Sequence, residues 1–108
     1  MTAPEPFRGQ VWDVDFEFGR HPGVVLSVNP LNSPLGHAAV IPITGTAGPP
    51  STHIPLDSDA GLTRYDRSFA DVTSLRPVAR ARLRKQRGLL TRTELARIET
   101  QLRTYLGL

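Results

Sequence analysis

Trp12-Asp13-Val14-Asp15-Phe16-Glu17-Phe18-Gly19-Arg20-His21-Pro22-Gly23-Val24-Val25-Leu26-Ser27-Val28 is the stretch whose reading decides the fold. Its first part alternates: Trp12, Val14, Phe16 and Phe18 share one side, Asp13, Asp15 and Glu17 the other. Side chains of an extended backbone point to opposite faces in turn, so Phe7–Phe18 reads as a half-buried strand. The second part changes chemistry. Pro22 fixes its own φ and pushes His21 toward an extended conformation, and Gly23 permits close backbone approach or an unusual φ. Val24, Val25, Leu26 and Val28 then make Gly23–Val28 a strand with little solvent on either face. Arg20 and His21 thus stand at the mouth of a rigid strand, a common geometry for a site, although the same residues also compose an ordinary surface turn.

Outward from this pair, Asn29–Gly36 is dense in turn formers and reads as a loop. A third strand is expected at Ala38–Thr44, with Pro42 confining its end to an edge or bulge. Gly45–Pro50 is irregular, Thr52–Leu56 is a short fourth strand, Asp57–Arg67 a loop, and Ser68–Leu75 a fifth strand of poor alternation. The period then changes. Thr91-Arg92-Thr93-Glu94 has capping-box spacing, and Leu90 and Leu95 are placed for a hydrophobic staple across it. Leu95, Ile98, Leu102, Tyr105 and Leu106 recur at helical spacing, and Gly107 is a natural stop. This predicts a helix with one apolar face, packed on the sheet or contributing to a dimer contact. Five strands and a terminal helix, with no repeat or linker, indicate one α+β domain built on a small five-stranded curled sheet or barrel. Residues 1–6 are expected as a flexible N-terminus and 7–108 as the domain.

The chain of 108 residues has no cysteine, which excludes disulfides, thiolate nucleophiles and cysteine-bound metal centres. No segment approaches the roughly 18 apolar residues of a membrane span, and the N-terminus lacks the basic start and apolar core of a signal peptide. A cytoplasmic location fits. Thirteen Lys and Arg oppose ten Asp and Glu, and twelve of those cations are Arg, with Lys85 the exception. Arginine offers a planar, permanently charged fork suited to phosphate. Arg76–Arg87 carries Arg76, Arg80, Arg82, Arg84, Lys85 and Arg87 with no acid among them. That run reads either as a phosphate-tracking stripe or as a solvated helix or turn. His37 and His53 have no partner at metal-site spacing, and no Gly-rich phosphate loop or nucleophile elbow is present.

With these elements in order, the chain resembles the MazF/PemK-type toxins, the endoribonuclease half of a toxin–antitoxin pair. Arg8-Gly9-Gln10-Val11-Trp12-Asp13-Val14-Asp15 is similar to the family's first strand and Pro22-Gly23-Val24-Val25-Leu26-Ser27 to its Arg-Pro-apolar-apolar-apolar-Ser segment. Val40-Ile41-Pro42-Ile43-Thr44 matches the next strand, Thr52-His53-Ile54 a Thr-His-Val segment, and Gly88-Leu89-Leu90-Thr91 through Leu106-Gly107-Leu108 the final helix. The resemblance implies a barrel of the MazF/CcdB kind, a homodimer with single-stranded RNA across its groove, and cutting at short sequences with no metal or other cofactor. It also implies a cognate antitoxin whose disordered, acidic-hydrophobic tail fills the same groove.

Metal-free RNA cleavage needs a base for the ribose 2′-hydroxyl, an acid for the departing 5′-oxygen, and positive charge near the phosphate. Where the family has an arginine before the proline, this chain has His21, preceded by Arg20. Histidine is the side chain whose ordinary titration lies nearest neutral pH, so His21 is a candidate for proton transfer and Arg20 for charge stabilisation. The resemblance carries a phosphate-bonding hydroxyl onto Thr44 and a base or base-reading carboxylate onto Asp71. The glutamine that follows the family's acid is absent, and Phe69 stands where some members carry an arginine. Arg20, Gly23 and Arg76 are the candidate RNA contacts. The loop before His21 is reduced to Glu17-Phe18-Gly19, so a cleavage preference does not carry over. The lost arginine and shortened loop also fit a catalytically silent relative that binds nucleic acid or an antitoxin.

Overall fold

A computed structural model describes residues 5–56 and 67–108; most of the expected N-terminal tail and of the Asp57–Arg67 loop lies outside them. The elements are β1 (Gln10–Phe16), β2 (Gly19–Val25), α1 (Asn29–Leu35), β3 (His37–Thr44), β4 (His53–Leu56), β5 (Ser68–Asp71), β6 (Arg76–Ala79), β7 (Leu83–Leu89) and α2 (Arg92–Leu106). The strands form one curled antiparallel sheet of seven, in the order β4-β5-β3-β2-β1-β7, with β6 paired to β3. The α+β class and the terminal helix are as the sequence indicates. The strand count is seven rather than five.

The two unexpected strands, β6 and β7, come from the arginine-rich run. β7 shows no apolar alternation because it is an edge strand whose middle residues, Arg84 to Arg87, are exposed whichever way they point. Period-two reading needs one buried face, and here there is none. Asn29–Leu35, expected as a loop, is a two-turn helix. Its buried Asn32 holds it from within: the amide nitrogen donates to the Pro6 and Ser27 carbonyls at 3.2 and 3.3 Å, and the Ser27 hydroxyl donates to the amide oxygen. Turn-forming residues therefore make an anchored helix here through a long-range polar contact that composition does not reveal.

The sheet carries apolar residues on both faces. One cluster joins Val11, Val24, Leu26, Ile41, Ile43, Ile54, Ala70 and Val72 to Leu90 and the fully buried Ile98 of α2. The other joins Trp12, Val14, Phe16, Val25, Ala38 and Val40 to Val78 of β6 and Leu83. Truncating a side chain such as Ile98 to Ala would cost about 2–5 kcal/mol. The capping box is present: Thr91 Oγ1 accepts from the Glu94 N–H at 3.1 Å and Glu94 Oε1 from the Thr91 N–H at 2.8 Å. Gly107 ends the helix at φ 74°, where a Cβ would be strained. Tyr105 and Leu106, expected on the apolar face, are exposed together with Leu108. Arg8 donates to the Leu26 carbonyl and pairs with Glu99 of α2. This gives the Arg8-Gly9 motif a structural task, tying the entry of β1 to the helix.

Candidate active site

The cleft arises where two neighbouring strands stop pairing. β2 and β3 pair at Val25↔Val40, Val24↔Ile41 and Gly23↔Pro42, the Leu26 N–H continuing the contact to the Ala39 carbonyl at 2.9 Å, and the pairing stops at the Gly23↔Pro42 rung. Beyond that rung, Gly19–Pro22 pairs only with β1, while Ile43 and Thr44 pair with β5. Pro22 and Pro42 flank the fork, and a residue with no N–H has no ladder donor to leave unpaired there. On its other side β3 exchanges partners as well, from β6 at His37–Val40 to β5 at Ile43. Sheet continuity is thus broken on both sides of Pro42. The opening is a cleft of about 230 Å³ lined by Phe18, His21, Pro42, Ile43, Thr44, Asp71, Ser74 and Arg76.

Three candidate catalytic residues, His21, Thr44 and Asp71, therefore meet at one cleft, joined by Arg76 from the candidate RNA contacts. β2 starts four residues before the expected Gly23 and ends at Val25 rather than Val28, so His21 sits within the strand rather than before it. The imidazole packs against the Phe18 ring at 5.3 Å between centroids, and neither ring nitrogen has a hydrogen-bond partner among the described residues. Thr44 Oγ1 accepts from the Thr46 N–H at 3.1 Å, which leaves its own proton to donate. Asp71 caps the turn at Val72–Ser74, accepting from Thr73 N at 3.0 Å, Thr73 Oγ1 at 2.6 Å and Ser74 Oγ at 3.0 Å. Burial pushes the Asp71 carboxyl up, but the bonds from Thr73 and Ser74, with His53 nearby, outweigh it and hold the carboxyl below its ordinary range. It is a fixed, ionised acceptor.

Arg76 is oriented from three directions. Its Nε donates to the Ser74 carbonyl at 3.0 Å, its Nη1 pairs with Glu17, and its guanidinium lies over the rings of Phe18 (5.0 Å) and Phe16 (5.8 Å). Nη2 has no partner among the described residues. The Phe16 and Phe18 rings stack at 5.0 Å and within 6° of parallel. Phe18 and Glu17 were not among the candidate site residues. For Phe18 the signal was the unbroken alternation, which carries it onto the face of Phe16; Glu17 had none, because the same alternation assigns it to the face of Asp13 and Asp15, whereas it pairs with Arg76.

Arg20 is not at the cleft. Consecutive strand residues point to opposite faces, and Arg20, paired across from Asp15, donates from Nε to the Asp15 carboxylate at 2.8 Å. Gly23 is not at the cleft either. It is buried, and a Cβ there would lie 2.6 Å from Val40, 3.1 Å from Phe16 and 3.3 Å from Val14. Its glycine is a packing requirement. The arginine-rich run is largely paired in space with β1: Arg84 and Arg87 lie 3.7 Å from Asp15 and Asp13, and Arg82 Nη1 donates to the Asp15 carbonyl at 2.9 Å. Arg80 stacks over Trp12 and donates to the Leu83 carbonyl. The hydrogen bond from Arg20, opposed by desolvation and aided by Arg84 and Arg82, keeps the Asp15 carboxyl below its ordinary range. His53, set aside with His37 in the sequence, lies behind Asp71 with Nε2 3.9 Å from its carboxylate and Nδ1 2.8 Å from Thr52 Oγ1.

A larger groove of about 670 Å³ lies between α2 and the β4 region, lined by Pro50, Ile54, Pro55, Arg92, Ala96 and Arg97 among others. It gathers no acid–base pair, so the smaller cleft is the chemical candidate. Among the described residues, no three His, Asp or Glu side chains are grouped to hold a metal ion, and no helix is long and apolar enough to cross a membrane.

Comparison with known proteins agrees with the fold. An endoribonuclease in complex with its cognate antitoxin, from a mycobacterial species, superposes with a TM-score of 0.86 at 25% identity, covering 95% of this chain and 96% of that one. MazE–MazF from Deinococcus radiodurans gives 0.84 at 24% identity over 98% and 99% of the two chains. MazF from the same organism gives 0.86 at 22% identity over 98% and 100%. No match to a curated protein sequence was found. Residues 7–106 match the family described as PemK-like, MazF-like toxin of type II toxin–antitoxin systems. Given this span, the curled seven-stranded sheet and its terminal helix, the chain belongs to the PemK/MazF toxin family.

Proposed function

We propose that this toxin is a metal-independent endoribonuclease that cleaves single-stranded RNA at short sequences. The observation that carries the reading is the convergence of His21, Thr44, Asp71 and Arg76, from four separate chain segments, on one cleft. The chemistry assigned to them is transesterification. His21, with both ring nitrogens unengaged among the described residues, takes the 2′-hydroxyl proton as the 2′-oxygen closes on phosphorus. The resulting imidazolium then gives a proton to the 5′-oxygen as the P–O5′ bond breaks, leaving a 2′,3′-cyclic phosphate and a 5′-hydroxyl. Arg76 Nη2 and the Thr44 hydroxyl donate to the phosphate oxygens, where charge accumulates in the transition state. Asp71, held below its ordinary pKa, is a weak base, and its role is to accept hydrogen bonds from substrate groups and to favour the cationic neighbours of the cleft. The charge role first considered for Arg20 passes to Arg76, because Arg20 is engaged with Asp15.

Neutralisation by a cognate antitoxin with an acidic-hydrophobic tail, a homodimeric assembly and a cytoplasmic location complete the reading. The mycobacterial relative complexed with its antitoxin supports the first, and the apolar side chains left exposed at the end of α2 support the second. The test is incubation of purified protein with a long mixed-sequence RNA in EDTA, with mapping of both product ends. Reproducible cuts bearing cyclic phosphates and 5′-hydroxyls are expected. Salt-dependent binding without any cut would instead identify a silent relative.

A further inference from the structure

We propose that Phe18 is a stacking platform for one unpaired nucleobase of the substrate, beside the phosphate held by Arg76. The inference rests on the ribonuclease reading and deepens it. Phe18 occupies the tip of the tight β1–β2 turn, where folding makes no demand for an aromatic: its side chain is 52% exposed and belongs to neither buried cluster. Yet it is not loose. Phe16 stacks on it within 6° of parallel, His21 tilts against it at 5.3 Å, and the Arg76 guanidinium lies over it at 5.0 Å. A rigid, half-open ring is thus fixed within the wall of the cleft that holds the proton-transfer and phosphate-binding groups.

The occupant that fits must present a flat apolar group and an anion side by side. A nucleotide does so, with its base for Phe18 and its phosphate for Arg76, and cation–π contact with Arg76 reinforces both. The guanidinium, 5.0 and 5.8 Å from the two ring centroids, sits beside the ring pair rather than in line with it, and the parallel pair itself is extended most simply by a third planar ring. An acidic-hydrophobic peptide would have only Pro42 and Ile43 of the lining for an aliphatic side chain, whereas His21, Thr44, Asp71, Ser74 and Arg76 offer the donors and acceptors that a phosphate and a sugar use. Stacking is tolerant of base identity, so Phe18 contributes affinity at one nucleotide position and only a graded preference for larger bases. Glu17 of the same turn pairs with Arg76, and in the bound state the substrate phosphate shares that guanidinium through Nη2.

The experiment uses full-length protein with single-stranded RNA of a mapped cleavage site, carrying a 2′-deoxy group at the cut so that it binds intact. 2-Aminopurine is moved through the positions flanking the cut. One position is expected to be quenched on binding to wild type. In Phe18→Ala that quenching is lost and affinity falls by about 5- to 150-fold, the range measured for single base–aromatic stacks; Phe18→Tyr retains both. On cleavable RNA the loss falls mainly on KM. Unaltered affinity and quenching in Phe18→Ala, with wild type still cutting, would overturn the platform and leave the nuclease standing. Wild type that neither binds nor cuts RNA would overturn both. Loss of binding to an acidic-hydrophobic peptide alone, with RNA unaffected, would reassign the ring to protein recognition.

Discussion

Two faces of the same hairpin, one residue out of phase, have opposite character. On the outer face Asp13 and Asp15 meet Arg20, Arg84 and Arg87, and every one of these charges has a counterion within 4 Å. On the cleft face His21, Thr44 and Arg76 keep donors or acceptors that no described residue satisfies, held in place by aromatic rings and carbonyls. The first arrangement spends its charge on itself in solvent, where ion pairs are screened and contribute little. The second holds polar groups oriented and unspent, which is what differential stabilisation of a transition state requires. Charge count marks the outer face as the site. Charge pairing marks the cleft.

Substitutions on the two faces test this contrast directly. The largest effect is expected for His21→Ala: single-turnover RNA cleavage should fall by about 10²- to 10⁴-fold, the usual contribution of a positioned acid–base group. A retained rate would remove the cleft from the chemistry. Arg76→Ala should lower the same rate by about 10²- to 10³-fold through lost charge stabilisation. Arg76→Lys should recover only part of it, because an ammonium cannot both lie flat on the rings and reach a phosphate.

Next in size is a stability effect beneath the hairpin. Gly23→Ala forces a Cβ to 2.6 Å from Val40, and urea unfolding should show a loss of about 1–3 kcal/mol from overpacking. Asp71 supplies a pH test. Its folded pKa is depressed, so the stability it contributes is present above the ordinary carboxylate pKa and disappears as pH falls through the lowered value. Urea midpoints of wild type and Asp71→Asn should therefore differ near neutrality and converge in strong acid; a gap constant with pH would show that ionisation is not what matters at Asp71. The smallest effect is expected for Arg20→Ala, which breaks an exposed pair with Asp15. Cleavage rate and unfolding midpoint should match wild type, and a large drop in cleavage would move the functional charge back to the outer face.

How much was legible beforehand follows from range. Strand β1, the valines of β2 and the α2 cap are written in local periodicity and in a four-residue capping box, and the structure has them within a few residues. His21, Thr44, Asp71 and Arg76 were singled out by residue type and family resemblance, yet nothing local said that they share a cleft. The face taken by Arg20 turned on the start of β2: once the strand runs from Gly19, Arg20 and His21 must diverge. β7 was missed because an edge strand whose middle residues are exposed on both faces has no hydrophobic period, and β6 because its four residues bury only Val78. Asn29–Leu35 was missed because its helix is secured by Asn32 reaching Pro6, 26 residues away.

By itself, then, the sequence determined the elements whose stabilisation is local or periodic: an alternating strand buries one face wherever it lies, and a capped amphipathic helix forms against any apolar surface. The tertiary structure alone decided the fork between β2 and β3 at Gly23↔Pro42, the partner of each arginine, and the rings that hold Arg76 over the cleft. Those depend on which distant segments become neighbours. Hydrogen bonds and ion pairs act over a few ångströms of space, not along the chain.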